Sequence, residues 1–241
     1  NDFFHLNADT ARELQIPGKY LAPVVRSGAD LQGVFFTRAD WKVAADSGTA
    51  NRLLRISGPL GTLPLSVRGY LARGRRSGIH KRYKCRTRSR WYDVPHVYQA
   101  DGFLTYMSGG EPRLVADTAG AFAPNTLHIV RMRQDASLAA RDLAVMWHSG
   151  VTKLSCEIEG HSLGGGLLKL EPKEAQKVLV PAVSSEKAFC DEIDRLIRRS
   201  NSRAAAALVD KRVSLETGLS LTDLRTLREG AALLRTRRQE R

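Results

Sequence analysis

The chain has 241 residues, 42% apolar and 26% charged, with a net charge of +13. That length supports a buried core in one domain or two, and that composition excludes a disordered or fibrous chain. No apolar run reaches the roughly 20 residues that span a bilayer, and the three scattered cysteines Cys85, Cys156 and Cys190 offer neither a disulfide framework nor metal-ligand spacing, which fits a reducing cytoplasm.

Residues 1–36 alternate short apolar runs with breakers at Pro17, Gly18, Pro23, Gly28 and Gly33, and LAPVVRS and LQGVFFT read as strands or extended links. Gly58, Pro59, Gly61 and Pro64 exclude a long helix over 51–71. Then comes a run of ten bases with no acid: Arg68, Arg73, Arg75, Arg76, Lys81, Arg82, Lys84, Arg86, Arg88 and Arg90. With Arg52 and Arg55, residues 47–92 hold twelve bases and no acid, against a net of +13 for the whole chain. Charge this local marks a surface for a polyanion, because a merely soluble protein spreads its charge. The excess of Arg over Lys favours phosphate and guanine, each of which a guanidinium grips with two hydrogen bonds.

Gly69, Gly74 and Gly78 predict a loop or a short helical turn for the first half of this run. In the second half Lys84, Arg86, Arg88 and Arg90 fall at period two, which on a strand puts all four on one face. Trp91 and Tyr92 close the run, and Tyr83 interleaves with it. Such aromatics stack on bases or anchor a strand, whereas the basic side chains take phosphates. A solvated basic loop is the plainer alternative and leaves these rings unexplained.

Further on, DGFLTYMS, PRLVADTA and NTLHIVRM predict strands. SLAARDLAVMWHSG predicts a helix capped by Ser137 and ended by Gly150, and LSCEIEG and GLLKLEP read as strands flanking a Gly164-Gly165-Gly166 loop. Beyond Pro181, residues 185–213 and 220–238 predict helices with breaks at Asn201 and Gly218. Asp191, Glu192, Arg195, Arg198 and Arg199 supply carboxylate–cation pairs at helical spacing, and the basic end RTRRQER reads as a frayed, solvated terminus.

Gly160-His161-Ser162-Leu163-Gly164 matches the G-x-S-x-G nucleophile elbow of α/β-hydrolases. The chemistry rejects it, since those enzymes place the base His after the nucleophile and none of the six histidines here follows Ser162. A glycine-rich turn between strands, or a backbone N–H cradle for phosphate, is left. His128 and His148 lack a second ligand at i+3 or i+4, so no metal is expected, and neither a P-loop nor a Rossmann fingerprint is present.

At KCRTRSRWYDVP (84–95) the chain resembles the C-terminal target-recognition region of the γ-type, TaqI-like N6-adenine DNA methyltransferases of restriction–modification systems. NDFFHL, DGFLTYMS, NTLHIVRM, AVMWHSG and LSCEIEGHSLGGGLLKLEP agree in order, so the resemblance covers residues 1–181. Two departures stand out: Arg90 where that group has Pro before the Trp, and His161 and Leu163 where it has Arg and Tyr. The group's Asn-Pro-Pro-aromatic motif, which holds the amine of a flipped adenine, is missing, as is its glycine-rich S-adenosylmethionine loop. NDFFHL then reads as the first segment after a methyltransferase domain.

The resemblance implies an α+β fold: a mixed or antiparallel sheet recognition domain over 1–181, with packed helices, then a helical tail over 182–241. It implies sequence-specific binding of double-stranded DNA that positions an adenine for a catalytic domain, in cis or as a subunit, with S-adenosylmethionine bound there and no cofactor, metal or catalytic residue here. Arg73, Arg75, Arg76, Lys81 and Arg82 are the expected phosphate contacts, with Lys84 beside them. Arg86, Arg88 and Arg90 are the expected base readers, Trp91 and Tyr92 anchor or stack, and Ser162 with Gly164, Gly165 and Gly166 forms a second contact. From composition alone an RNA-binding basic and aromatic module is the alternative, and a basic face for an acidic protein partner is a third reading. No membrane association is expected.

Overall fold

The structure is a computed structural model and describes residues 2–95 and 97–240. Asn1, which opens NDFFHL, His96, and Arg241, which closes RTRRQER, lie outside the described residues. In chain order the elements are β1 (His5–Leu6), α1 (Ala8–Glu13), β2 (Leu21–Pro23), β3 (Phe35–Phe36), α2 (Arg38–Asp46), β4 (Arg52–Leu54), α3 (Leu65–Arg76) and α4 (Tyr83–Arg86). They continue with β5 (Gly102–Thr105), β6 (Met107–Ser108), β7 (Leu114–Asp117), β8 (Leu127–Val130), α5 (Ala140–Met146), α6 (Gly150–Glu159), β9 (His161–Leu163) and β10 (Leu167–Lys169). Four helices finish the chain: α7 (Pro172–Ala175), α8 (Lys187–Arg198), α9 (Ser202–Thr217) and α10 (Leu221–Gln239). This is the α+β fold with mixed and antiparallel sheets and a helical C-terminal end that the sequence predicts.

The chain forms two units, and neither is one continuous stretch. The first comprises Asn1–Arg26, Arg38–Gln99 and Ala119–Phe122. Its small antiparallel sheet has the order β1-β4-β2, with Leu53 opposite both His5 and Ala22. Phe4, Leu6, Leu54, Ile56, Val67, Leu71, Ile79 and Tyr92 build its core. The second unit comprises Ser27–Thr37, Ala100–Thr118 and Ala123–Arg241. Its larger sheet has the order β3-β7-β5-β8, parallel at β3–β7 and antiparallel elsewhere, and a second sheet has the order β6-β10-β9. Residues 182–241 belong to this unit, where Cys190, Ile193, Val209, Val213 and Leu224 share one apolar core with Leu104, Val145 and Trp147.

Several local expectations change. The basic run does not open in a loop: α3 runs through Gly69 and Gly74. A Cβ on Gly74 would meet the Phe3 ring at 2.4 Å and the Trp91 ring at 2.9 Å, so this glycine admits aromatic rings against the helix instead of breaking it. The stop is Gly78, at φ 73°, after the C-cap Ser77. LSCEIEG is helical, as part of α6. Its alternation of Leu154, Cys156 and Ile158 imitates a strand, but Ser149 Oγ accepts the Thr152 N–H at 3.2 Å and caps a helix there. Gly150, expected as a stop, is the first residue of α6, and a Cβ on it would meet the Leu224 carbonyl oxygen of α10 at 2.5 Å. The cap of α5 is Ala139, not Ser137. Asn201 and Gly218 do separate the last helices, as N-cap of α9 and as its left-handed C-cap. Among the described residues the basic end is helical and not frayed, because α10 continues to Gln239 and Arg238 is buried against Glu157.

A charged cluster lies inside the second unit. Lys153 Nζ sits 3.0 Å from Glu111 Oε2, and Arg235 holds the other carboxylate oxygen. Burial raises the Glu111 carboxyl, but these two cations outweigh it and bring it down to about 2. Burial, and then Lys153, push the His148 imidazole down to about 3. The unfolded chain therefore takes up a proton at His148 below pH 6.5 while the native protein does not. Stability is full above that value and falls as pH drops toward 3, by at most ~1.4 kcal/mol per pH unit from this group. Glu111 adds its own loss only lower, between its ordinary 4.5 and about 2. His148→Gln should flatten the dependence between pH 6.5 and 5 in urea unfolding curves; an unchanged slope there would contradict a neutral buried imidazole.

Candidate nucleic-acid interface

The first unit holds seventeen bases and six acids, a net of +11, which leaves +2 for the second. The acid-free run thus charges one unit, and its local folding decides which cations meet solvent. On α3, Val67, Leu71 and Gly74 are buried at helical spacing, and the half-buried Tyr70 donates its hydroxyl to the Phe3 carbonyl at 2.8 Å. The opposite arc carries Arg68, Arg73, Arg75 and Arg76, all exposed. Between them lies Gly69, which has no side chain and open space above it. The helix therefore offers four guanidinium groups around a bare stretch of backbone. Arg68, which the sequence reading did not include among the contacts, belongs to this face, and helical phasing of the run would have found it.

Lys81 and Arg82 follow, exposed, at a single 3-10 turn. The expected strand over 84–90 does not form: Tyr83–Arg86 is a helical turn and the chain turns again before Trp91. Of the residues between the bases only Cys85 is buried, while Thr87 and Ser89 are exposed. Charge alternates there without an apolar face behind it, and a strand needs that face. Lys84, Arg86, Arg88 and Arg90 accordingly do not share one surface role. Lys84 and Arg86 are exposed, with the Arg86 guanidinium 5.6 Å from the centre of the Tyr83 ring. Arg88 is half-buried, lies over the Phe4 ring at 5.1 Å and donates to the Trp91 carbonyl. Arg90 is paired with Asp93 at 3.0 Å.

Trp91 and Tyr92 have the contacts of anchors. Trp91 packs against Phe3, Phe4 and His80 and stands edge-on to Tyr92. Tyr92 is 5% exposed and donates its hydroxyl to the Gly58 carbonyl at 3.1 Å. Within the basic run the aromatic ring that faces solvent is Tyr83, 72% exposed and not among the expected contacts. Arg52 and Arg55 lie over Trp41 and Phe122, at 4.7 and 5.4 Å.

The glycine loop belongs to the second unit. Ser162 is exposed on β9, and β10 follows the turn without any helix, so the elbow geometry is absent. Gly165 and Gly166 take φ of 71° and 73°, and a Cβ on Gly166 would meet Gln239 of α10 at 3.0 Å. The Gly166 carbonyl accepts a hydrogen bond from Arg238. Gly164 and Gly165 have open space beside them.

The family described as "Type II methyltransferase M.Eco57I, C-terminal domain" matches residues 1–214. The chain belongs to this family. This agrees with the sequence resemblance to the C-terminal region of such a methyltransferase. The chain is 24% identical over 201 residues to the type II methyltransferase M.AccI of Acinetobacter calcoaceticus, covering 82% of this chain and 37% of that protein. The type IIG restriction endonuclease BpuSI has the same fold over the whole of this chain, with a TM-score of 0.65 at 14% identity, and the chain covers 29% of that protein. This M.Eco57I-type domain therefore spans little more than a third of the curated relative it matches. Among the described residues no helix is long and apolar enough to cross a membrane.

Proposed function

We propose that this M.Eco57I-type C-terminal domain binds double-stranded DNA sequence-specifically and places one adenine in a methyltransferase catalytic domain, which transfers the methyl group to N6. The observation that carries this reading is the α3 face, with four exposed arginines within an acid-free stretch of 46 residues, 47–92. Arg68, Arg73, Arg75, Arg76, Lys81 and Arg82 are assigned to phosphates, which fix register on the duplex. Lys84, Arg86 and Tyr83 project beside them and are the best placed for base edges or stacking. Arg88, Arg90, Trp91 and Tyr92 hold that surface in shape.

The catalytic domain lies on the same polypeptide or on a subunit, and the reading places the protein in the cytoplasm. S-adenosylmethionine belongs to that domain. The glycine-rich segment here does not fit it, because Gly166 packs on α10 and the loop leads into a strand instead of a helix N-terminus. Ser162, Gly164 and Gly165 keep open edges and remain the second proposed DNA contact.

Anisotropy titration of a labelled duplex against salt tests the reading. With five to eight bases on phosphate, log K should fall with log salt at a slope of about −5 to −7. A slope near zero would sink the DNA reading, and stronger competition by single-stranded RNA than by duplex would replace it with RNA binding.

A further inference from the structure

The second unit has a half-open pocket of about 650 Å³ between α9 and α10. This volume falls within the range of small-ligand sites. The sequence explains the gap. Ala206 and Ala207 on α9 and Ala232 on α10 line it, so the side chains that would fill a helix–helix seam are methyl groups. With Leu221 they make an apolar wall.

The polar lining is unevenly matched. Three acids line the cavity, and each already has cationic partners. Glu111 is held by Lys153 and Arg235, Asp210 by Arg228 at 2.6 Å, and Glu229 by Arg225 at 2.9 Å. Lys153 is itself almost wholly buried. Two further cations, Arg203 and Lys211, also line the cavity, are exposed, and have no ion-pair partner among the described residues. His148 completes the lining, with no hydrogen bond to its ring among the described residues. As a neutral imidazole it can offer one donor and one acceptor.

We propose that this cavity binds a nucleotide-sized phosphomonoester, with its apolar body against the alanine wall and its phosphate on Arg203 and Lys211. Two unmatched cations suit a dianionic phosphate, and the guanidinium can take it with two hydrogen bonds. His148 can orient a polar edge of the body. A free nucleotide and the 5′-phosphate end of a DNA strand share this chemistry. The site lies in the second unit and the α3 face in the first.

The test is calorimetric titration of the chain with adenosine 5′-monophosphate, with inorganic phosphate, and with a short duplex bearing or lacking a 5′-phosphate. It is performed in a variant whose α3 arginines are replaced by alanine, so that the first unit does not contribute. The nucleotide should bind at least tenfold more tightly than inorganic phosphate. Arg203→Ala with Lys211→Ala should weaken it at least tenfold, and Ala206→Leu, which crowds the alanine wall, should weaken it at least tenfold while the thermal midpoint holds. Should that variant fail to fold, Ala232→Leu crowds the same wall. A gain from the 5′-phosphate on the duplex would identify the DNA end as the source; preference for the free nucleotide would identify a small molecule. Nucleotide binding undiminished in the leucine variants, equal affinity for inorganic phosphate, or no binding at all would overturn the proposal.

Discussion

Arg238→Ala should cost roughly 3–5 kcal/mol of folding stability, the range for breaking a buried ion pair by removing one partner. The side chains of Arg238 and Glu157 are 3% and 4% exposed. The guanidinium meets the carboxylate as a fork, Nε to Oε2 at 3.1 Å and Nη2 to Oε1 at 3.0 Å. It also donates to the carbonyls of Gly166 and Gly110. Alanine would leave a buried carboxylate and two carbonyls without their donors. Urea unfolding followed by circular dichroism measures the loss, and a change below about 1 kcal/mol would refute this account, since that is the scale of an exposed pair. Arg238→Met combined with Glu157→Leu should recover most of the loss, because apolar replacements remove both desolvation penalties together.

The second large effect concerns binding. Replacing Arg68, Arg73, Arg75 and Arg76 together by alanine should leave the fold intact, because all four are exposed and alanine is the better helix former. Each lost phosphate contact should reduce the salt slope by about 0.9, and duplex affinity at 0.1 M salt should fall on the order of a hundredfold to several thousandfold. Arg88→Ala paired with Arg90→Ala is the contrast. These side chains serve Phe4 and Asp93, so that variant should lose stability while keeping most of the salt slope. The reverse ranking in anisotropy titrations would move the interface off α3.

What could be read from the sequence follows from which signals are local. The breaks at Asn201 and Gly218 were legible because a cap and a left-handed turn restrict residue type at one position. The strands β5, β7 and β8 were legible as apolar runs between turn residues. Gly74 and Gly150 misled because their purpose is tertiary: each makes room for a partner far along the chain, Phe3 in one case and Leu224 in the other. Alternation misled twice, at 84–90 and 154–158, because period two identifies a strand only where a sheet exists to bury one face. The basic surface was visible from charge alone. Its division into exposed and engaged arginines was not, since that depends on Phe4 and Asp93.

The discontinuous second unit has a consequence for the order in which the protein takes shape during synthesis. Every residue of the first unit lies at or before Phe122, so its core can close while the ribosome is still making the rest. The N–H groups of Val34 and Phe35 instead donate to Asp194, across 160 and 159 positions. A pairing so distant is slow to find, and β3 must wait for α8 to emerge. The cationic unit is therefore the early one, folded before the other unit is complete.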